Sequence, residues 1–381
     1  MLQKRIKYIS HYGCQEIGRE RFNSPASDTK KDYYFEVLNK CGYGVDHISR
    51  AACSKKGAHS GSYVEKRGDN TFRYFASWCV SENRYIQYVN RFLVHVQWYL
   101  WLLVHLKKGE QIMVYHSLAY DKTLLRLKKW KELRIIGDIE ELYQDVHLQS
   151  AIVSENEFKF IAGCDKYIFP NTLLNAKLNK SGRPFVMAHG IYRLADYEES
   201  SFPDSDIHLL YSGTFDPVKG GAMAAVKCAE YLPETYHLHI TGFGSRALET
   251  EILNETDRVK KITKAKITYH GFLPETELLD LMHRCHIGLC TQDPQNKLNL
   301  TSFPSKILNY MSNGMKVLVG RNAAIEESKV NDFVFYYDHQ TPQDIASSIK
   351  TIDAKRDNKG KIHLKELDIE FTKDLKELIE L

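Results

Sequence analysis

Glycine-rich turns that follow short apolar runs are the first candidates for chemistry in this sequence. Residues 211–221 read YSGTFDPVKGG, with Gly213 at the first turn and Lys219 just before the next glycines. Glycines let a ligand approach the backbone closely, and the amides at the start of a following helix attract anions. The segment therefore predicts a diphosphate site. It matches neither the P-loop nor the dinucleotide-binding spacing, and an ordinary glycine-rich turn is the alternative.

A second segment, FPSKILNYMSNGMKVLV at 303–319, could meet a phosphate at the start of a helix. Pro304 suits the first turn of a helix, where its missing N–H costs nothing. Ser305 and Lys306 would then lie at the helix N-terminus, and Asn309 would lie on the same face as Lys306. The glycine at position 314 ends the predicted helix.

Polar residues also follow other apolar runs. Gly242 and Gly244 follow one run and predict a tight turn, whereas His116, Asp138 and Glu140 stand at the ends of two further runs. Open α/β sheets bind ligands at the carboxyl ends of their strands, so these residues are candidate ligand contacts. The alternatives are a plain turn, a structural histidine, and carboxylates that cap a helix or face solvent.

Alternating strands and helices must position these turns. The sequence predicts strands at 6–10, 45–48, 111–115, 134–138, 166–170, 208–211, 237–241, 267–270, 287–290 and 316–320, and helices at 33–40, 222–231, 275–284, from 303 to near 314, and in the tail at 363–381. This alternation predicts the α/β class, with two Rossmann-like parallel-sheet domains. The acidic stretch DYEESSFPDSD predicts a linker at 196–206 between domains 1–195 and 207–362, and a surface loop within one domain is the alternative.

The composition excludes several classes of protein. The chain has 381 residues, of which 43% are hydrophobic and 26% charged, so it is not disordered or collagenous. A net charge of only +4 argues against a nucleic-acid binder. Eight scattered cysteines without CxxC spacing argue against a zinc site and a disulfide framework, and indicate free thiols in a reducing cytosol. The apolar run at 92–106 is too short to cross a bilayer and predicts a buried helix or a helix on a membrane surface.

This order of strands, glycine turns and helices resembles GT-B fold glycosyltransferases of the retaining family 4 type, which use nucleotide-activated sugars. The resemblance is clearest over 211–320 and most specific in FPSKILNYMSNGMKVLV. In the N-terminal half, RERFNSPASDTKKDYYFEVLNKCGYGV, VYHSLAYDK, DIEELY and CDKYIFPN look similar to bacterial surface-polysaccharide glycosyltransferases. The resemblance implies two domains that face a central cleft, with the helix at 363–381 crossing back to pack on the first domain.

The resemblance also implies a role for each matched residue. The catalytic group would be His116, Lys219 and Lys306, with His116 pointing at the reacting centre. The donor would lie against Gly13, Gly213, Thr214, Gly242, Gly244, His270, Gly271, Phe272, Ser305 and Asn309, with His270, Gly271 and Phe272 beside the base. The acceptor would meet Arg21, Asp138 and Glu140, and no residue would bind a metal.

Three positions depart from the family pattern. The two glutamates that the family usually shows fall on Thr301 and Asn309, and the usual arginine falls on Thr214. Asn309 can still hydrogen-bond a ribose hydroxyl, but without the assistance of a charge. The donor site therefore carries fewer charges than usual, which implies either a different donor geometry or a chain that has lost turnover.

The resemblance implies metal-independent sugar transfer with retention, without a cofactor, from a UDP- or GDP-linked sugar to a saccharide or lipid-linked acceptor. Surface polysaccharide or glycoconjugate synthesis in the cytoplasm is the expected setting. A peripheral contact with the inner membrane and a homodimer are left open. The competing interpretations are a sugar-nucleotide epimerase and a non-catalytic GT-B subunit that binds sugar and supports a partner transferase. An epimerase needs paired carboxylates near the sugar.

Overall fold

The computed structural model describes residues 4–13, 25–50, 57–58, 62–75, 79–80, 82–146, 151–195, 200–217 and 221–381. These residues form two compact units. Unit 1 contains residues 1–170, 175–188 and 370–381, and unit 2 contains residues 171–174 and 189–369. Each unit is built on one main sheet.

The main sheet of unit 1 has eight strands in the order β10-β9-β8-β7-β1-β2-β5-β4. Its strands are β1 (Lys4–Ser10), β2 (Tyr43–Ser49), β4 (Tyr63–Arg67), β5 (Asn70–Tyr74), β7 (Gln111–Tyr115), β8 (Arg134–Asp138), β9 (Lys166–Phe169) and β10 (Phe185–Met187); β3 (Gly57–Ala58) and β6 (Cys79–Val80) form a separate small ladder. Neighbouring strands of the main sheet are parallel except β4, which pairs antiparallel with β5. Gly68 turns this hairpin with a φ of 54°, a conformation that favours glycine. The sequence predicted β1, β2, β7, β8 and β9, and it missed β10 and this hairpin.

The helices that connect these strands are α1 (Pro25–Lys40), α2 (Arg84–His105), α3 (Asp121–Lys131), α4 (Tyr143–Val146), α5 (Ala151–Gly163) and α6 (Thr172–Leu178). Helix α2 begins because the Asn83 side chain accepts a hydrogen bond from the Tyr85 amide. Trp98 on α2 is fully buried, whereas Phe92 is 66% and Val104 77% exposed. The run at 92–106 is therefore a half-buried helix with an exposed apolar face. No helix within the described ranges is long and apolar enough to cross a membrane.

The sheet of unit 2 has six parallel strands in the order β13-β12-β11-β14-β15-β16. Its strands are β11 (Ile207–Thr214), β12 (Tyr236–Phe243), β13 (Lys266–Gly271), β14 (Ile287–Cys290), β15 (Lys316–Gly320) and β16 (Phe335–Tyr337). Its helices are α7 (Ala222–Cys228), α8 (Arg246–Lys260), α9 (Glu275–Arg284), α10 (Lys306–Ser312), α11 (Ala323–Glu326) and α12 (Pro342–Lys350), with short 3₁₀ turns at Ala229–Tyr231, Lys297–Leu300 and Asn331–Phe333.

The last helix, α13 (Lys359–Glu380), contributes to both units. Its residues through Ile369 belong to unit 2, and Glu370–Leu381 belong to unit 1. In unit 1, the Lys166 ammonium donates to the carbonyl of Leu378 at 2.7 Å, and Phe371 packs on Tyr34 with ring centroids 5.4 Å apart. The chain thus returns to its first unit, as the predicted fold requires.

The division between the units follows Ala188 rather than residue 195. Residues 200–206, which were expected in a linker, belong to unit 2, where the Phe202 ring stacks on His208 with centroids 3.8 Å apart. Lys266 also forms an ion pair with Asp206 at 2.6 Å. The acidic composition of this stretch therefore reflects a surface segment that packs on the start of β11.

Candidate functional site

The two glycine turns of unit 2 lie side by side at the carboxyl edge of its sheet. Gly213 and Gly242 are register partners on the parallel strands β11 and β12. A Cβ on Gly242 would overlap the carbonyl oxygen of Gly213 and lie 2.9 Å from the Phe215 ring. Only glycine allows the two backbones to approach this closely, so these glycines build one continuous edge.

Lys306, from the distant segment at 303–319, lies against this edge. A Cβ placed on Gly213 would stand 2.5 Å from the Lys306 ammonium nitrogen. That ammonium donates to the Tyr211 hydroxyl at 3.0 Å and lies 4.2 Å from the centroid of the Tyr211 ring. The Tyr211 hydroxyl in turn donates to the carbonyl of Thr214 at 2.8 Å. A fully buried tyrosine therefore fixes a positive charge beside the first glycine turn.

The segment around Lys306 is tied to β11 from its other side as well. The hydroxyl of the fully buried Tyr310 accepts a hydrogen bond from the Ser212 amide at 2.9 Å. Ser305 and Asn309 lie at the start and on the surface of α10, and both are exposed. Thr214 is half-buried at the end of β11. The structure thus brings these predicted donor contacts to one edge of unit 2.

Two exposed aromatic rings extend this edge at the ends of β12 and β13. Phe243 is 51% and Phe272 70% exposed, and their rings meet edge to face with centroids 6.1 Å apart. Gly271 turns the chain with a φ of 66° and accepts a hydrogen bond from the Thr241 hydroxyl at 2.8 Å. Gly244 begins the loop into α8, where its amide donates to the Glu249 carboxylate at 3.3 Å. Exposed aromatic faces can stack on a base or sugar, and sequence reasoning named only Phe272.

His270 was predicted to lie against the base, which stays a prediction, and within the chain it contacts another histidine. Its Nε2 lies 3.0 Å from His239 Nδ1, within a row of histidines on the sheet. It also lines an open cavity of about 400 Å³ together with Asp280 and Arg284 of α9. Burial lowers the pKa of His270, and the Arg284 charge lowers it further.

In unit 1, His116 follows β7 but is only 2% exposed. Its Nε2 lies 3.5 Å from a Glu157 oxygen and 3.7 Å from an Asp121 oxygen. Burial lowers the pKa of His116 to about 4. Burial and the Glu157 charge raise the pKa of Asp121 to about 8. These contacts tie His116 to the interior of unit 1, and its role at a reacting centre stays a prediction.

The two predicted acceptor carboxylates of unit 1 lie next to each other. Asp138 is fully buried and accepts a hydrogen bond from the Tyr8 hydroxyl at 2.6 Å. Burial raises the pKa of Asp138 to about 8, and the neighbouring Glu140 carboxylate adds to this shift. Glu140 is paired with Lys30 of α1. Asp138 can therefore bind or release a proton near neutral pH, beside a carboxylate that forms an ion pair with Lys30.

Gly13 lies near the start of α1, where its amide donates to the Asp28 carboxylate at 3.0 Å. Asp28 also pairs with the buried Lys31 at 3.3 Å. The Lys31 ammonium lies 4.6 Å from the centroid of the Tyr115 ring. Sequence reasoning missed this lysine because a lone lysine in a polar helix carries no spacing signal. Lys219 and Arg21, the remaining predicted site residues, lie outside the described residues.

Two parallel-sheet units joined by a last helix that returns to the first unit define the GT-B fold. Among solved structures with this fold, one described as trehalose-6-phosphate from E. coli bound with UDP-2-fluoro glucose has a TM-score of 0.65 and 12% identity, over 98% of this chain and 99% of that chain. A UDP-forming α,α-trehalose-phosphate synthase from Burkholderia xenovorans in complex with glucose-6-phosphate has a TM-score of 0.64 and 13% identity, over 98% and 100%. A trehalose-6-phosphate synthase, OtsA, has a TM-score of 0.67 and 11% identity, over 99% and 97%.

These likenesses confirm the predicted α/β class and the GT-B fold. No protein-family model matches the chain, and no curated protein matches it. The resemblance to family 4 in particular finds no support in these comparisons and stays a prediction.

Proposed function

We propose that this chain is a retaining glycosyltransferase that moves a sugar from a UDP- or GDP-linked donor to a saccharide or lipid-linked acceptor. The observation that carries the proposal is the Lys306 ammonium beside Gly213 at the carboxyl edge of the unit 2 sheet. A departing nucleoside diphosphate gains negative charge, and a fixed ammonium stabilises that charge most when it is already in place. One solved structure with this fold is bound with UDP-2-fluoro glucose and another is in complex with glucose-6-phosphate, which supports a nucleotide-sugar donor and a sugar acceptor.

In this proposal, each group of residues at the carboxyl edge of the unit 2 sheet contacts a different part of the donor. Lys306, and Lys219 by its place in the sequence after Gly213, neutralise the diphosphate, while Gly213 and Gly242 keep the space beside it free of side chains. Phe272 and Phe243 offer faces to the base, and the exposed Asn309 offers its amide to a ribose hydroxyl. The proton of the acceptor passes to the leaving phosphate, so the reaction needs no protein base, and the lysine charges stabilise the leaving diphosphate without a metal. One solved trehalose-6-phosphate synthase with this fold is described as an enzyme of glycosyltransfer with retention, which supports this stereochemistry.

The setting that we propose is the synthesis of surface polysaccharide or another glycoconjugate. The exposed apolar side chains of α2, among them Tyr85, Phe92 and Val104, offer a surface for a peripheral membrane contact. Such a contact would bring the enzyme to a lipid-linked acceptor. A homodimer is also part of this proposal.

A screen of nucleotide sugars for thermal stabilisation tests the donor, because a bound ligand raises the stability of the folded state. We expect one UDP- or GDP-sugar to raise the melting temperature and to release free nucleotide when a saccharide acceptor is added. The Lys219→Ala and Lys306→Ala variants should both lose donor affinity or turnover. Lys350→Ala, which changes an exposed lysine on α12, is the matched control and should behave like the wild type. Wild-type activity in both test variants would reject this diphosphate site.

A non-catalytic sugar-binding subunit is the second candidate, and the two positions without carboxylates favour it. Thr301 is fully buried and Asn309 is uncharged, so neither supplies a carboxylate to a donor. This candidate predicts that a nucleotide sugar binds without turnover under any acceptor condition. An epimerase would instead convert the donor sugar in the absence of an acceptor, and product analysis separates the three outcomes.

A further inference from the structure

Three histidines share one face of the unit 2 sheet. His208 on β11 and His237 on β12 are register partners, and His239 follows two residues later on the same face because side chains alternate along a strand. The intervening residues Leu209 and Leu238 point to the opposite face and belong to the hydrophobic core. This face of the sheet is therefore polar where a parallel sheet is normally apolar.

The three rings present their nitrogens to one another. One ring nitrogen from each of His208, His237 and His239 lies within 4.8 Å of the other two. The Nδ1 of His208 is 2.9 Å from the Nε2 of His239. The Nδ1 of His237 is buried and has no hydrogen-bond partner among the described residues. A buried nitrogen without a partner costs free energy unless something binds it.

A different polar group holds the second nitrogen of each ring. Asp204 lies 2.8 Å from the Nε2 of His208. The Thr268 hydroxyl lies 2.8 Å from the Nε2 of His237. His270 lies 3.0 Å from the Nδ1 of His239. Histidines that bind metals are oriented in this way, with the far nitrogen bonded to a carboxylate, a hydroxyl or another polar group.

We propose that His208, His237 and His239 bind a divalent transition-metal ion, with zinc as the best-fitting candidate and water in the fourth position. Imidazole ligands suit zinc, which takes three protein nitrogens and one water in open tetrahedral sites. With zinc–nitrogen distances of ~2.1 Å, the ligand nitrogens of one tetrahedral ion lie ~3.4 Å apart. The three ring nitrogens here lie within 4.8 Å of one another, so small rotations of the rings would bring them to this separation. Asp204 and Asp206, which with His237 form a second group of possible ligands, line the exposed side.

The hydrogen bonds of the row indicate where its hydrogens lie. With His208 Nε2 donating to Asp204, His208 Nδ1 accepts from His239 Nε2. Binding requires the His239 Nε2 to lose its hydrogen. A change of tautomer in two rings removes this hydrogen. The hydrogen of His239 moves to Nδ1, which donates to His270 Nε2, and the hydrogen of His270 moves to its Nδ1. The number of hydrogens stays the same, so no proton is released.

This site is separate from the proposed donor edge. His208 lies five residues before Gly213 on β11, or ~17 Å along the strand, and His239 lies three residues before Gly242 on β12, or ~10 Å. The Phe202 ring covers His208 and His239, with centroids 3.8 and 5.2 Å away. A bound ion would therefore link β11 and β12 and, through Asp204, the segment 200–206.

Titration of the chelator-treated, full-length protein with zinc in a calorimeter tests the site, and cobalt absorption tests its geometry. We expect one ion per chain, a visible spectrum typical of tetrahedral cobalt, and no proton release when buffers of different ionisation enthalpy are compared. The same titration of His237→Ala should show affinity at least about tenfold weaker, and of Asp204→Asn about ten- to a hundredfold weaker. His339→Ala removes an exposed histidine outside the row and should bind as the wild type does.

Three results would overturn the proposal. They are no zinc binding by the wild type, equal affinity in His237→Ala and His339→Ala, or an octahedral cobalt spectrum. Circular dichroism shows whether each variant is folded before titration. If His237→Ala does not fold, Thr268→Val, which removes only an outer hydroxyl, should weaken binding in its place, and unchanged affinity there would count against the site. Because binding is measured without a sugar substrate, this test is independent of the proposed transferase activity.

Discussion

Replacing Lys306 by Met separates the charge of this side chain from its packing. Methionine keeps an unbranched apolar stem beside the Tyr211 ring but removes the ammonium that lies 3.0 Å from the Tyr211 hydroxyl. We expect the variant to fold and to bind a nucleoside diphosphate more weakly than the wild type. The reason is that the glycine edge would lose the positive charge that faces it.

The size of the loss follows from the position of the charge. Two unit charges about 4 Å apart attract by ~1 kcal/mol in water and ~4 kcal/mol in a medium with an effective dielectric constant near 20. Lys306 is half-buried, so its attraction for one phosphate charge lies between these limits. Affinity should fall by about 5- to 1000-fold, since every ~1.4 kcal/mol is a factor of ten. The free energy of unfolding should fall by only about 1–2 kcal/mol, the value of a charged hydrogen bond with a partly solvated donor.

Calorimetric titration with UDP and GDP at two salt concentrations measures this effect. Raising the salt from about 0.05 M to about 0.5 M screens charges, so the wild type should lose affinity and Lys306→Met should lose much less. Lys350→Met is the control and should keep the wild-type salt dependence. If Lys306→Met and the wild type bind with equal affinity and equal salt dependence, the ammonium does not contact the diphosphate.

Three further outcomes test the packing around the candidate sites, each by urea unfolding. Gly242→Ala should destabilise unit 2 more than Gly213→Ala, because its Cβ would meet the carbonyl oxygen of Gly213, whereas a Cβ on Gly213 meets the end of a flexible lysine; equal losses would contradict this. Tyr310→Phe should cost about 1–3 kcal/mol, because the Ser212 amide loses its acceptor, and an unchanged midpoint would show that water replaces the hydroxyl. The folded-state pKa of Asp121 is raised to about 8, so its contribution to stability is complete below its ordinary value of 3.8 and is lost as the pH rises through about 8. Asp121→Asn should therefore reduce the loss of stability between pH 6.5 and pH 8, and an identical slope would refute the assignment.

The sequence predicted the turns of unit 2 and five of its six strands, all but β16, because the local signals there agree with one another. The strand Ile287–Cys290 and the helix Glu275–Arg284 are found at the predicted bounds. The glycine turns could be recognised because a tight approach between two strands leaves glycine as the only residue that fits. The partnership of Gly213 with Lys306 came from the family resemblance, since no local pattern joins residues so far apart in the chain.

The features that the sequence did not reveal depend on long-range contacts. His208, His237 and His239 carry no metal-binding spacing when taken together, because two of them come from one strand and the third from its neighbour. The register of the two strands brings them together, and register cannot be read from either strand alone. The hairpin β4–β5 was missed because its two strands have only five residues each, which is too short for a clear alternation of polar and apolar residues.

The two positions at which the resembled family usually has a glutamate, 301 and 309, differ in burial. Thr301 is fully buried, and its hydroxyl has no hydrogen-bond partner among the described residues. A glutamate there would have to carry its charge into an interior space, which has a large desolvation cost. Asn309 is exposed, and its side-chain oxygen accepts a hydrogen bond from Asn313 at 3.3 Å. The packing of this chain thus accommodates a neutral residue at position 301, and under the proposed function a donor hydroxyl at α10 would meet the amide of Asn309 rather than a carboxylate.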